Sequence, residues 1–165
     1  MKNLICCFTG HRKIPLNKYD IIQKRLENEI IKLIDQGVCC FLAGGAWGFD
    51  TMAALAVLRL QSKFPHIRLM LVLPCKEQTR RWGRIDKMLY DVILHYADKV
   101  IYTSEHYYPG CMHKRNRYLV NNSQICICYL TKANGGTACT INYARQEGSQ
   151  IINIALNKKS HSCLK

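Results

Sequence analysis

The sequence predicts an α/β domain: a Rossmann-like, open, doubly wound and mostly parallel sheet of about six strands, with helices on both faces. Three observations carry that prediction. Short apolar runs alternate along the chain with longer stretches of helical periodicity, as in Leu4–Phe8 followed by Tyr19–Ile34. Nearly all of these runs are apolar throughout, which marks strands buried on both faces. Three of them end in turns that carry glycine, at Thr9–Arg12, Gly44–Asp50 and Asn134–Thr137. Right-handed crossovers in such a sheet gather the turns along its carboxyl edge, where ligands bind.

The elements follow in order. Leu4–Phe8 is the first strand, and Pro15 marks a loop before a helix. In Tyr19–Ile34 apolar residues fall at Ile21, Ile22, Leu26, Ile30, Ile31, Leu33 and Ile34, mostly at helical spacing, and Gly37 is placed to stop the helix. Val38–Leu42 is the second strand. It runs into the stretch around which the chain is organised, Phe41–Asp50: a strand end, a glycine turn and the mouth of a helix reaching about Ser62. Ile67–Leu73 is the third strand. Lys76–Trp82 is too polar for a strand and reads as a loop entering a helix that ends near Tyr96, with Ile85, Met88, Leu89, Val92, Ile93 and Tyr96 inward. Val100–Tyr102 is the fourth strand, Thr103–Gly110 a loop rich in tyrosine, and Met112–Val120 a helix. Ile125–Leu130 is the fifth strand, Ala138–Gln146 a helix ended by Gly148, and Ile151–Ile154 the sixth strand. One domain is expected over residues 1–155, followed by a polar, basic tail over 156–165.

A chain of 165 residues with 48% apolar composition suits one soluble domain with a proper core. No apolar run approaches the ~20 residues of a membrane span. Met1–Cys7 leads straight into a strand without a signal-peptide pattern, so the expected location is the cytoplasm, with no membrane partner. Of the ten cysteines, Cys6, Cys7, Cys39, Cys40, Cys126 and Cys128 lie inside apolar strand runs, where a reduced thiol serves as a small hydrophobe. There is no C-x-x-C pair, and Cys75, Cys111 and His113 match no zinc spacing, so neither a metal nor a cofactor is expected. The net charge of +13, from 24 basic and 11 acidic side chains, favours an anionic partner such as a nucleotide or a nucleic acid. The basic side chains cluster at Lys76, Arg80, Arg81, Arg84 and Lys87, and at Lys114, Arg115 and Arg117.

A strand that passes through glycines into a helix leaves free backbone N–H groups at the positive end of the helix dipole, and these attract anions such as phosphate. The same glycines also make a tight turn and let helix and strand pack closely. Both readings stand for Gly44, Gly45 and Gly48. Convergence of three such turns on one edge, with Pro74–Trp82 and Thr103–Arg117 beside them, favours the anion site.

Taken in order, Thr9-Gly10-His11-Arg12, Gly44–Asp50, Arg115-Asn116-Arg117 and Gly135–Thr140 resemble the SLOG superfamily. That superfamily groups the Rossmann-like domain of the DNA-processing protein DprA with the LOG nucleotide hydrolases. Within it the resemblance is to small stand-alone proteins of the YpsA/YspA type. These carry a similar Thr-Gly-His-Arg opening and a Leu-Pro-Cys, Gln, Trp segment, here Leu73-Pro74-Cys75, Gln78 and Trp82. The resemblance covers about Leu4 to Ile154 and implies binding of a nucleotide or nucleotide-derived ligand at the glycine turns. It places Gly10 and Arg12 beside the ligand, with Gly44, Gly45, Gly48 and Asp50 in the second turn. Arg115 and Arg117 would offer charge to phosphate, and Gly135, Gly136 and Thr137 would close the third turn, with a hydroxyl from Thr137 or Thr140. Glycine lets phosphate approach the backbone, and the arginine fork suits its oxygens. Several residues have two readings. Asp50 caps its helix or contacts ribose or base. Asn116 bonds ligand or loop backbone. Trp82 is core or a partly exposed ring stacking on a base, beside Gln78. His11 is a general acid or base, or a hydrogen-bonded structural residue.

LOG-type phosphoribohydrolases, as the resemblance goes, place a carboxylate a few residues after the last glycine turn. Here Ala138–Tyr143 holds none, Glu147 lies too far on, and the run Gly136–Thr140 followed by Ala144 is more similar to DprA. Whether the chain is an enzyme stays open, with Asp50 or Glu105 as the remaining carboxylates. The favoured function is binding or sensing of a nucleotide-derived ligand. The alternatives are a phosphoribohydrolase-like nucleotide hydrolase and a DprA-like binder of single-stranded nucleic acid, which needs a basic groove with stacking aromatics. Superfamily relatives are often dimers, so a homodimer is implied by analogy.

Overall fold

The computed structural model describes residues 4–156. The basic tail expected over 156–165 lies, beyond Leu156, outside the described residues. The strands are β1 (Leu4–Gly10), β2 (Val38–Ala43), β3 (Arg68–Leu73), β4 (Lys99–Tyr102), β5 (Ile125–Tyr129) and β6 (Gln150–Asn153). The helices are α1 (Tyr19–Asp35, after a 3-10 turn at Leu16–Lys18), α2 (Phe49–Leu60), α3 (Arg84–Tyr96), α4 (Cys111–Asn121) and α5 (Gly136–Gln146). The strands form one sheet in the order β4-β3-β2-β1-β5-β6, and every pairing is parallel. This is the Rossmann-like architecture that the apolar runs predict.

Strand side chains alternate between the two faces, so each run feeds two cores. Phe8, Phe41, Leu69, Leu71 and Ile127 pack with Leu26, Ile30 and Val57 beneath α1, α2 and α3. Phe8 and Phe41 stack at 5.9 Å with no exposed surface. Burial of one such side chain contributes about 1.5–3 kcal/mol. On the opposite face Cys7, Leu42, Val72, Cys126 and Cys128 meet Leu119 of α4 and Ile141 of α5. The described cysteines are free thiols, and those of β1 and β5 are small core residues.

The α3 helix corrects one expectation. Ile85, Met88, Val92 and Tyr96 are 75%, 58%, 46% and 64% exposed, while Tyr90 and Ile93 are buried and Leu89 is half-buried. The helix carries two apolar stripes at helical spacing. Tyr90, Ile93 and Leu94 face the core, and the other stripe faces solvent. Periodicity alone does not choose between them.

The topology fixes where a site can form. From β1 the chain steps outward through β2 and β3 to β4. It then recrosses by α4, which places β5 on the other side of β1. The connections that leave β1 and β5 therefore diverge and open a crevice at the carboxyl ends of these two strands.

Candidate functional site

The residue after β1 bolts the crevice together. The backbone N–H of His11 donates to the Tyr129 carbonyl at 3.3 Å, and its own carbonyl accepts the Phe49 N–H at 3.2 Å. Its Nε2 accepts the backbone N–H of Thr131 at 2.9 Å, and its ring meets Tyr129 edge-on at 5.8 Å. An imidazole that accepts at Nε2 is neutral, with its proton on Nδ1. Burial, then the charge of Lys132, lowers its pKa and holds that state. His11 thus ties the β1 loop to the β5 loop and to the start of α2.

The second glycine turn is closed. Gly48 has φ 83°, and a Cβ there would run into the Arg12 carbonyl. At Gly45 it would meet Leu73, and at Gly10 the Phe49 ring. At Gly44 it would lie 2.8 Å from Nη1 of Arg115 and 2.9 Å from Oδ2 of Asp50. These glycines serve close packing, and the turn presents Ala46 and Asp50 to the crevice. The third turn is open. Nothing lies within 4 Å of a Cβ added at Gly135 or Gly136. Gly136 and Thr137, the first residues of α5, line the crevice, so the positive end of that helix abuts it.

Between these turns lies a cavity of about 320 Å³. Thr9, Gly10, His11 and Arg12 wall it from the β1 end, and Met112, His113, Arg115 and Asn116 from α4. Arg115 is only 4% exposed. Its Nη1 donates to the Gly44 carbonyl, its Nε to Oδ1 of Asn116 at 2.8 Å, and its Nη2 lies 3.9 Å from the Met112 sulfur. It braces α4 against the β2–α2 turn as well as charging the cavity wall. Burial lowers its pKa, Asp50 opposes that shift and the charge of Arg12 adds to it.

Asp50 accepts the Ala46 N–H at 3.3 Å and is 7% exposed. Burial pushes its carboxyl up to about 6, against the opposing effects of Arg115, the Ala46 N–H and Arg12. Arg12 is exposed, and its guanidinium sits over the Trp47 ring at 5.1 Å. Trp47 meets Trp82 edge-on at 5.2 Å, and Trp82 meets Tyr90 at 5.4 Å. This aromatic row reaches from the core to the exposed guanidinium of Arg12.

Of the expected site residues Gly44, Gly45, Gly48 and Gly135 shape the turns without lining the cavity, and four more stand elsewhere. Gln78 is buried with its Oε1 unpartnered, near the Gly45 turn. Trp82 is half-buried within the aromatic row. Thr140 donates its hydroxyl to the Gly136 carbonyl at 2.9 Å, back into the first turn of α5. Arg117 lies two residues beyond Arg115 and so points away from it; it lines a different cavity. Sequence reasoning missed Trp47 as the partner of Arg12 and His113 as part of the crevice wall; a spacing of two from Arg115 on one helix gives no signal for His113. Among the described residues no group of three or more His, Cys, Asp or Glu is placed to hold a metal ion. No helix among them is long and apolar enough to cross a membrane.

The profile of the YspA SLOG family matches residues 6–157. The chain belongs to this family. It is 32% identical over 118 residues to the uncharacterized SPbeta prophage-derived protein YoqJ of Bacillus subtilis, covering 64% of this chain and 69% of that protein. It is 36% identical over 104 residues to a UPF0398 protein of Halalkalibacterium halodurans, covering 62% of this chain and 55% of the relative. Among solved structures it is similar to DprA of Streptococcus pneumoniae, with a TM-score of 0.64 at 17% identity, over 90% of this chain. It is also similar to DprA of Helicobacter pylori, with a TM-score of 0.63 at 16% identity. The chain spans 49% and 64% of these two DprA chains. At such identities the likeness is one of fold.

Proposed function

We propose that this SLOG protein binds a nucleotide through its phosphate in the crevice between β1 and β5. The observation that carries the reading is the convergence of Arg12, Arg115 and the N-terminus of α5 on one cavity. Two guanidinium groups and a helix dipole form an anion seat, and the open Gly136 leaves room for phosphate against the backbone. The volume of about 320 Å³ lies at the small end of the range for ligand pockets, about 300–1,000 Å³. One DprA structure similar in fold is described by its single-stranded DNA binding mode, which supports a ligand of the nucleotide class.

A second reading rests on Asp50. A carboxyl with a pKa of about 6 in the cavity is suited to general acid–base work on a bound nucleotide. It would supply the carboxylate that the third turn lacks.

The test is a thermal-shift screen with AMP, ATP and short single-stranded DNA, repeated on Arg12→Ala and Gly136→Ala. Ligand at one hundred times its Kd stabilises the native state by about 2.7 kcal/mol. That corresponds to roughly 5–10 °C for a chain of this size. A shift that both variants lose supports the seat. A shift that both retain refutes it. Chromatography of the incubated ligand separates the readings: intact ligand supports binding, and cleavage abolished by Asp50→Asn supports the hydrolase.

A further inference from the structure

We infer that the groove on the far side of α4 is a second nucleotide subsite, so that the ligand is a single-stranded oligonucleotide rather than one nucleotide. The inference rests on the phosphate seat proposed above and extends it. The face of the sheet covered by α4 and α5 has two helices against three on the other, and the surface beside the edge strand β4 is left open. There a cavity of about 640 Å³, twice the volume of the crevice, lies between β4 and α4. His113 lines both cavities, so they adjoin at the first turns of α4.

The chemistry of this groove is that of a strand track. Tyr102 and Tyr118 line it with rings, and Lys114 and Arg117 with cations; none of its lining residues is acidic. Arg117 is held in place over the Tyr143 ring at 5.3 Å, and the Tyr143 hydroxyl donates to Oδ1 of Asn121 at 2.7 Å. Lys76 sets a further cation 5.9 Å from the centre of the Tyr102 ring. Rings that accept a base face, interleaved with cations that accept phosphate, are what binding of an unpaired strand requires. His113 and Arg117 stand four residues apart on one face of α4, about 6 Å along the axis, and lead from the crevice into the groove. Arg115 and Arg117 then serve successive parts of one strand from opposite sides of the same helix.

The test is binding measured against strand length at fixed salt, with mono-, di-, tetra- and hexathymidylate in deoxy and ribo forms. The proteins are the full chain, Arg12→Ala, and the double variant Tyr102→Ala/Arg117→Ala, whose side chains are exposed. Affinity is expected to rise at least tenfold from one nucleotide to four, in either sugar series, since each stacked base adds a factor of roughly 5 to 150. The double variant should lose that gain while its mononucleotide affinity and melting temperature stay unchanged. Arg12→Ala should weaken every length. Mononucleotide binding with no gain on lengthening overturns the second subsite and leaves the first, as does a gain that survives the double variant. Failure of every length to bind overturns the phosphate seat, and the subsite with it.

Discussion

Replacing Asp50 by asparagine should stabilise the protein above pH 6. Asp50 lies in the crevice with its carboxyl pushed up from an ordinary value of about 4 to about 6. A carboxyl whose pKa is higher in the folded state holds its proton more tightly there. It favours folding below the ordinary value and loses that contribution as pH rises through 6. The shift of about two units corresponds to about 3 kcal/mol by which ionisation of Asp50 weakens the native state at pH 8. Asparagine keeps an oxygen for the Ala46 N–H and removes the ionisation. The variant should therefore melt about 6–12 °C higher than the parent at pH 8. At pH 4 the two should differ little. Paired thermal melts at pH 4, 6 and 8 read this directly, because the other titrating groups cancel between variant and parent. Equal destabilisation at all three pH values would refute the reasoning. It would mean that Arg115 needs an ionised Asp50 to stay buried.

Three further outcomes follow from the same geometry. Gly48→Ala forces a Cβ into the Arg12 carbonyl at a left-handed φ and should cost more than about 2 kcal/mol, whereas Gly136→Ala enters open space and should stay within about 0.5 kcal/mol in urea melts. On α3, Ile85→Lys and Val92→Lys should also stay within about 0.5 kcal/mol, while Ile93→Ala, on the buried stripe, should cost about 2–4 kcal/mol. Glu77 accepts a hydrogen bond from Nδ1 of His106 at 2.9 Å and another from the Tyr107 N–H at 3.2 Å, linking the loops before α3 and α4. The pair raises the pKa of His106 and lowers that of Glu77. The histidine's share is complete below its ordinary value of about 6.5 and fades as pH rises through the raised one; the glutamate's is present above about 4.3 and fades as pH falls through the lowered one. An NMR titration of His106 should show its pKa fall in Glu77→Gln.

The sheet was legible because its strands are apolar throughout; a run such as Ile125–Tyr129 fits little but a strand covered on both faces. The crevice was legible as turns that follow strands, since topology alone brings Gly10 and Gly136 to one edge. The roles within it were less so. That Gly44, Gly45 and Gly48 are packed shut while Gly135 and Gly136 are open depends on Arg12, Leu73 and Arg115, which lie far off in the chain. The part played by His11 depends on Thr131, 120 residues away. Trp47 meets Arg12 and Trp82, both far off in the chain, so nothing in its own neighbourhood announces it. Arg115 and Arg117 read as one cluster in sequence, yet a spacing of two on a helix sends them to opposite sides.

The most direct measurement is a crystal structure of the full chain with a bound mononucleotide. Phosphate oxygens within hydrogen-bond distance of Arg12 and of the backbone N–H groups of Gly136 and Thr137 are the predicted result. A nucleotide seated anywhere other than the crevice between β1 and β5 would contradict it.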